Sequence, residues 1–349
     1  MDIRVDGNSG ADTHPVESAP TPPPPTQTDG PAASTGGAAE TAGSAGGDNT
    51  VRAGYQRDGF DAGAAGSSRA PLSVNTFEAK SVSGPTPMKD GQGDEFYDGA
   101  LVGADGKAYD PKTTSVDDVP AIEPRPGAAA PTGQTVVHVN GIWTTKQQAV
   151  DEAQAIADKT GNKVVVVYNA TSGGGDVVQA ITDTQLAQIV SNKATDTLTN
   201  VIYDKVKQDK PINVSGYSQG GIIVSNALRN VKNKLYQDDG GFLGNLFNDK
   251  GAKRDEKLGR ISVETYGSAA GDFPDGPNYT HYINSADKVP VLFGLHGKWS
   301  ADIGLSHPGK DAKIIEFSTP ASDPLDFLTP HLIDKYLAQH VPNPLRNEK

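Results

Sequence analysis

Ser218, a serine between two nearby glycines, is the residue most suited to chemistry in this chain. It lies in Gly216-Tyr217-Ser218-Gln219-Gly220, after an apolar run typical of a buried strand and before a helical stripe of apolar residues. The glycines suit a sharp turn from strand to helix, because a side chain at either position would collide with the doubled-back backbone. Such a turn presents the serine hydroxyl above the end of the sheet. The pattern alone is weak in a chain with 40 glycines, so its surroundings must decide.

A nucleophilic serine needs a histidine to take its proton and a carboxylate to hold that histidine, because the hydroxyl reacts poorly at neutral pH. After a serine on this kind of turn, the acid is expected next in the sequence and the histidine last. Asp287 ends a predicted strand and is the candidate acid, with an ordinary loop cap as the less favoured alternative. Glu264, inside a strand, and Asp272, in a Gly/Pro loop, are weaker candidates by position.

The candidate base is His331, which begins the last predicted helix after a long loop. His307 precedes a Pro-Gly turn and is better explained as a hydrogen-bonding loop residue. His296 lies in a loop with glycines close on both sides, where we expect exposure to solvent.

Acyl transfer also needs two backbone N–H groups directed at the oxyanion of the intermediate, each worth about 3 kcal/mol. The N–H of Gln219, at the start of the helix, is one predicted donor. The other is expected from Ile142, in the loop after the first core strand, where Gly141 permits a close backbone approach. The predicted pocket or lid side chains are Trp143, Tyr217, Phe242, Leu243, Leu246 and Phe247. A core position for Trp143, and a loop at 242–247 packed on its own domain, are equally open.

Strands and helices alternate from residue 131 onward, which predicts a mainly parallel sheet covered by helices on both faces. Apolar runs predict strands at 135–139, 163–168, 261–266, 279–284 and 312–317, in addition to the strand before Ser218. Helical patterns begin after Thr144 or Thr145 and at Asp176, run from 194 to 208, follow Ser218, and end the chain from 329 to 339. Sites in such sheets form at the carboxyl ends of strands, where Asn140, Ser218, Gly267 and Asp287 are placed.

The first third of the chain has few apolar residues with which to form a core. Residues 1–70 are rich in Pro, Gly, Ala, Ser and Thr and are predicted to be a disordered tail, and residues 71–130 an extended arm or small hairpin that packs on the core. Residues 131–349 form the predicted catalytic domain, with an inserted loop at about 233–259. The net charge of −12, without a basic cluster, argues against nucleic acid as a partner.

Composition also limits the chemistry and the location of the protein. The absence of cysteine excludes disulfides, zinc thiolates and a cysteine nucleophile. The start of the chain has no apolar signal core and no run approaches 18 apolar residues, so we expect a soluble product of the cytoplasm without a transmembrane segment or cleavable signal peptide. Secretion by another route, through the polar tail, stays open. No metal-ligand spacing occurs, and Gly173-Gly174-Gly175 lacks the ending of a phosphate loop, so neither metal nor cofactor is predicted.

Together these motifs resemble the α/β-hydrolase superfamily, and residues 130 to 340 are similar to the class 3, or fungal-type, lipases. The corresponding segments are Thr265-Tyr266-Gly267-Ser268, Asp287-Lys288-Val289-Pro290, Leu305-Ser306-His307-Pro308-Gly309 and His331-Leu332-Ile333-Asp334-Lys335-Tyr336. The resemblance implies an α/β-hydrolase fold, a structural role for His307 and a catalytic role for His331. Gln219 replaces the usual leucine, and the loop from Asn140 to Trp143 differs from the oxyanion loop of that family, which leaves specificity for long-chain lipids open.

The leading hypothesis is a metal-independent serine hydrolase that cleaves carboxylic esters through an acyl-Ser218 intermediate. A lipid or another hydrophobic acyl ester is the expected substrate, as for a lipase, esterase or phospholipase, and transient contact with a lipid surface stays open. The tail adds the hypotheses of a secreted bacterial effector and of a protein partner. The alternatives are a non-catalytic relative that binds a partner through its tail and insertion, and an acyltransferase that uses the same serine.

Overall fold

The computed structural model describes residues 84–171, 192–240, 250–320, 326 and 329–342. The strands in these ranges are β1 Leu101–Val102, β2 Ala108–Tyr109, β3 Thr135–Val139, β4 Lys163–Val167, β5 Ile212–Tyr217, β6 Ile261–Tyr266, β7 Asn278–Asn284 and β8 Lys313–Phe317. They form one sheet in the order β2-β1-β4-β3-β5-β6-β7-β8. The pairs from β4 through β8 are parallel, whereas β1 is antiparallel to both of its neighbours. The predicted fold class, a mainly parallel α/β sheet, is confirmed.

The helices cover both faces of this sheet, which explains its continuous apolar strands. They are α1 Lys146–Thr160, α2 Lys193–Lys207, α3 Gly220–Asp238, α4 Lys250–Leu258, α5 Lys288–Leu292, α6 Lys298–Asp302 and α7 Ile333–Leu337. Helices α1 and α7 pack on one face and α2 and α3 on the other. In β4, Val164 through Val167 are all fully buried, because alternate side chains point to opposite faces and both faces are covered.

Helix α1 has the boundaries that its sequence signals predict. The Thr145 hydroxyl accepts a hydrogen bond from Gln148 N at 3.2 Å, and the Gln148 side chain accepts one from Thr145 N at 2.9 Å. This capping box satisfies N–H groups that the first turn leaves without helical partners. Gly161, at a φ of 72°, ends the helix in the left-handed region.

Part of the predicted arm is a short hairpin at one edge of the sheet. Strands β1 and β2 pair antiparallel, and Leu101 of β1 aligns with Val167 of β4. Further along, Ile122 N donates to Val164 O at 2.8 Å, on the same strand β4. The hairpin therefore extends the sheet beyond the parallel strands.

Two stretches differ from the sequence-based expectation. At 233–259, expected to be an inserted loop, α3 continues to Asp238 and α4 occupies 250–258, because Leu235 and Leu258 are each buried in the core among charged neighbours. The expected helix from 329 to 339 is a 3-10 turn, Thr329–His331, followed by α7, since Leu332 has an extended ψ of 135°.

Several expectations lie outside the described residues. They are the tail at 1–70, the arm at 71–83, the triple glycine at 173–175, the helix from Asp176 and the centre of the insertion at 241–249. Among the helices of the described ranges, none has the length and apolar composition to cross a membrane.

Candidate active site

Ser218 lies on a sharp turn between β5 and α3, at the carboxyl end of a central strand. Its φ is +55°, in the left-handed region that non-glycine residues rarely adopt, and its side chain is buried. A Cβ on Gly216 would lie 2.8 Å from the Gly220 carbonyl oxygen, and a Cβ on Gly220 would lie 2.2 Å from the carbonyl oxygen of Val139. Both distances are shorter than the contacts that real Cβ atoms make. Each position therefore requires glycine, because a side chain would collide with the doubled-back backbone. The backbone itself therefore holds the serine in its strained conformation.

Asp287 and His331 are in direct contact at the same end of the sheet. Asp287 follows β7 and is fully buried, and His331 Nδ1 donates to its Oδ2 at 2.5 Å. Asp287 Oδ1 also accepts from Val289 N at 2.8 Å, which caps the first turn of α5. Asp287 thus both caps a helix and orients a histidine. Because Nδ1 carries the proton in this bond, Nε2 is the ring nitrogen able to accept one.

Tyr217 connects the serine turn to this histidine. Its ring stacks on His331, with centroids 5.0 Å apart and an interplanar angle of 24°. Its hydroxyl donates to the His331 carbonyl oxygen at 2.6 Å. Burial, then the negative charges of Glu152 and Asp287, raise the pKa of this hydroxyl well above its usual value, which keeps it a donor. No hydrogen bond joins Ser218 to His331, both of which the structure describes.

The loop that carries Ile142 packs directly against the serine. A Cβ on Gly141 would lie 3.1 Å from Ser218 Cβ, so glycine allows this approach. Trp143, next to Ile142, has a φ of 55°. Gln219, the other predicted donor, is the N-cap residue of α3 and is buried. Both predicted oxyanion donors therefore belong to segments that adjoin Ser218.

Trp143 is half-buried and lines a cavity of about 360 Å³. Glu152 of α1 and Ile333, two residues after His331, also line it. A larger cavity of about 1080 Å³ lies between residues 88–118 and α2, and Ser218, Asp287 and His331 are not among the described residues that line it. Within the described ranges, these three residues do not line the smaller cavity either, which is related to the site only through Trp143 and Ile333, the chain neighbours of Ile142 and of the His331 segment. The predicted lid residues Phe242, Leu243, Leu246 and Phe247 lie outside the described residues.

The weaker acid candidates have other contacts. Glu264 is buried and accepts a hydrogen bond from the Tyr266 hydroxyl at 2.8 Å. Asp272 forms a surface ion pair with Arg229 at 2.6 Å. Glu264 also lies 3.9 Å from His340 Nδ1.

The weaker base candidates are also engaged elsewhere. His307 is half-exposed and bonds Asp275 through Nε2 at 2.9 Å. His296 is partly buried, and its Nδ1 donates to Val291 O at 2.5 Å. The expectation that His296 faces solvent is wrong, because its φ of 58° turns the chain back onto α5.

Tyr336 contacts the candidate acid, a contact that the positional argument did not find. Its hydroxyl donates to Asp287 Oδ2, the same oxygen that accepts from His331. Burial, and secondarily the charge of Asp287, raise the pKa of Tyr336 far above its usual value. The available signal was an aromatic residue one turn into the helix after His331. In the parts of the chain described, no group of three His, Asp or Glu side chains is arranged to hold a metal ion.

No protein-family model matches the chain, and no match was found among curated proteins. The structure is similar to an esterase of Pyrobaculum calidifontis, at 11% identity over 57% of this chain and 74% of that one, with a TM-score of 0.31. It is also similar to the esterase PE8, at 16% identity over 63% and 95% of the two chains and a TM-score of 0.29. It is similar as well to YbtT, a type II thioesterase of the yersiniabactin pathway, at 15% identity over 57% of this chain and 89% of that one, with a TM-score of 0.26. Similarities of this size do not identify a substrate.

Proposed function

We propose that the chain is a serine hydrolase of the α/β-hydrolase type, which cleaves carboxylic esters through an acyl-Ser218 intermediate. The observation that carries the proposal is the bond from His331 Nδ1 to the buried Asp287, with His331 stacked on the neighbour of Ser218. A carboxylate in this position fixes the tautomer in which Nε2 can act as the base. The strained turn under Ser218 supports the same conclusion, since backbone strain of this kind is concentrated at functional sites.

In the proposed reaction, Ser218 Oγ attacks the ester carbonyl carbon while His331 Nε2 takes the hydroxyl proton. The N–H groups of Gln219 and Ile142 donate to the oxyanion that forms. When the intermediate collapses, the bond to the alcohol oxygen breaks and His331 returns the proton to that oxygen. Water then attacks the acyl-serine, again losing a proton to His331, and the acid is released as the serine recovers its hydrogen.

The finer part of the proposal is a lipid or another hydrophobic acyl ester as substrate, as in the class 3 lipases. The main support is Leu332, next to His331, which is 48% exposed. Trp143 and Ile333 add apolar surface to the smaller cavity, whose other lining residues, except Ala155, are polar or acidic. The cavity volume of about 360 Å³ is near the lower end of small-molecule sites. We therefore expect short acyl chains to react faster than long ones. The hypothesis of a secreted effector rests on tail composition alone.

The test is hydrolysis of p-nitrophenyl esters with acyl chains of increasing length by purified protein. We expect Ser218→Ala to lower kcat at least about 1,000-fold. Ser215→Ala, three residues earlier on the same strand and equally buried, should keep most of the activity. Unchanged hydrolysis by a folded Ser218→Ala variant would refute the proposal, and equal loss in both variants would show that the effect is structural.

A further inference from the structure

Three buried amide side chains connect the two segments that carry the predicted oxyanion donors. They are Asn140, at the end of β3, Asn169, after β4, and Gln219, at the start of α3, and each is at most 4% exposed. Buried amides are costly unless their hydrogen bonds are made, and once made they restrict the backbone around them.

The side chain of Asn140 ties its own loop to the end of β4. Its Nδ2 donates to Asn169 O at 2.9 Å and to Gly141 O at 3.0 Å. Its Oδ1 accepts from Asn169 N at 2.9 Å. The Gly141 carbonyl belongs to the peptide unit whose N–H is that of Ile142. The bond to Gly141 O therefore fixes the orientation of the predicted oxyanion N–H.

The side chain of Asn169 reaches the other donor segment. Its Nδ2 donates to Gln219 Oε1 at 2.7 Å and to Thr171 Oγ1 at 3.1 Å, and the Thr171 hydroxyl donates to the same Gln219 oxygen at 2.9 Å. Gln219 is the residue directly after Ser218, so these bonds hold the N-cap residue of α3. Asn169 is thus bonded to Asn140 through its backbone and to Gln219 through its side chain.

We propose that Asn169 is a positioning residue that aligns the N–H groups of Ile142 and Gln219 for the oxyanion. The inference rests on the proposed function. Asn169 acts through Asn140 and Gln219 and does not itself contact the reacting atoms. It also gives a reason for glutamine at 219, because an apolar side chain there would remove the nearer of the two acceptors of the Asn169 amide.

The test is the kinetics of Asn169→Ala and Gln219→Met with p-nitrophenyl butyrate. A misaligned oxyanion site lowers the rate of the chemical step without weakening ground-state binding. We expect kcat to fall roughly 10- to 100-fold in each variant, with KM changed less than about 3-fold. Because both substitutions remove the same bond, the double variant should lose little more than the worse single one. Binding of a trifluoromethyl ketone, which mimics the tetrahedral intermediate, should weaken in parallel with kcat/KM.

Asn162→Ala is the matched control, since Asn162 is a buried asparagine at the other end of β4 and accepts a hydrogen bond from Thr132 Oγ1 at 2.5 Å. It should lower the melting temperature and leave kcat within about 3-fold of the native value. If Asn169→Ala does not fold, two other variants test the proposal. Gln219→Met removes the acceptor oxygen, and Thr171→Val removes one of the donors to it. A native kcat in the folded variants, or equal loss in Asn162→Ala, would overturn the proposal. If Ser218→Ala also retains activity, the proposed function fails; if only the amide variants do, this inference alone fails.

Discussion

The carboxylate of Asp287 receives three hydrogen bonds, each from a different part of the site. Val289 N binds one oxygen, while His331 Nδ1 and the Tyr336 hydroxyl share the other. A fully buried carboxylate needs such donors, because an unpaired charge in the interior is strongly destabilising. The three bonds also leave the carboxylate a single orientation, so the histidine is directed by the same contacts that make the burial tolerable.

We predict that Tyr336→Phe lowers both stability and activity. Loss of a buried hydrogen bond to a charged group should cost about 2 kcal/mol of unfolding free energy. The kcat should fall roughly 10-fold, because Asp287 then holds His331 less rigidly. Urea denaturation and ester hydrolysis measure the two effects.

Tyr279→Phe separates the two effects, because the Tyr279 hydroxyl is also buried but donates to Pro274 O, at 2.6 Å. This control should lose stability and keep its kcat. Full activity in Tyr336→Phe would contradict a role for Tyr336 in orienting the acid.

At the scale of elements, the strand, turn and helix around Ser218 leave no space for added atoms. The backbone carbonyl of Val139 lies 2.2 Å from where a Cβ on Gly220 would be, and backbone cannot rotate away as a side chain can. The turn therefore depends on the close packing of α3 on β3. That packing sets the distance between the serine and the loop of Ile142.

Gly220→Ala is predicted to destabilise the protein by about 3 kcal/mol, because β3 and α3 must separate to admit the methyl group. The kcat should fall as well, since the two oxyanion segments would move apart. Gly93→Ala is the control: Gly93 is exposed, has a φ of −63°, and has nothing within 4 Å of the added Cβ. Chemical denaturation compares them, and equal stability of the two variants would show that the turn tolerates a side chain.

The sequence predicted the elements well where one local signal was strong. The valine run of β4 indicated a doubly covered strand, and the Ser218 turn was predicted from two glycines. The last helix was predicted from 329 to 339, but its break before α7 was not, because that break depends on the ψ of Leu332. The contact of Tyr336 with Asp287 and the bonds of Asn169 were not predicted either. Each joins residues distant in the chain through side-chain directions that no local pattern contains.

At the scale of the whole molecule, His281 joins the later part of the sheet to a loop. It is fully buried, its Nε2 donates to Pro308 O at 2.8 Å, and its Nδ1 accepts from Thr265 Oγ1 at 2.8 Å. Burial lowers the pKa of His281 from 6.5 to about 4. The neutral ring is therefore the form that the fold accommodates.

The pKa of His281 makes stability dependent on pH. Between pH 6.5 and about 4 the unfolded chain binds a proton that the folded chain does not, so stability falls as pH falls. Above pH 6.5 the ring is neutral in both the folded and the unfolded chain. The unfolding free energy there is higher than at pH 4 by about 3 kcal/mol. His281→Asn has no ring that titrates in this range. The difference in unfolding free energy between the native protein and this variant should therefore decrease by about 3 kcal/mol as the pH is lowered from 7 to 4. Urea denaturation at several pH values measures it, and a difference that does not vary with pH would contradict the account.

The central claim is that Ser218 forms the covalent intermediate, and the most direct test is to trap it. The intact protein would be treated with a fluorophosphonate and its peptides mapped by mass spectrometry. We predict a single adduct, on Ser218, absent from Ser218→Ala, unchanged in Ser215→Ala and formed at least about 100-fold more slowly in His331→Ala. No adduct on the folded native protein, or an adduct on another residue, would contradict the assignment.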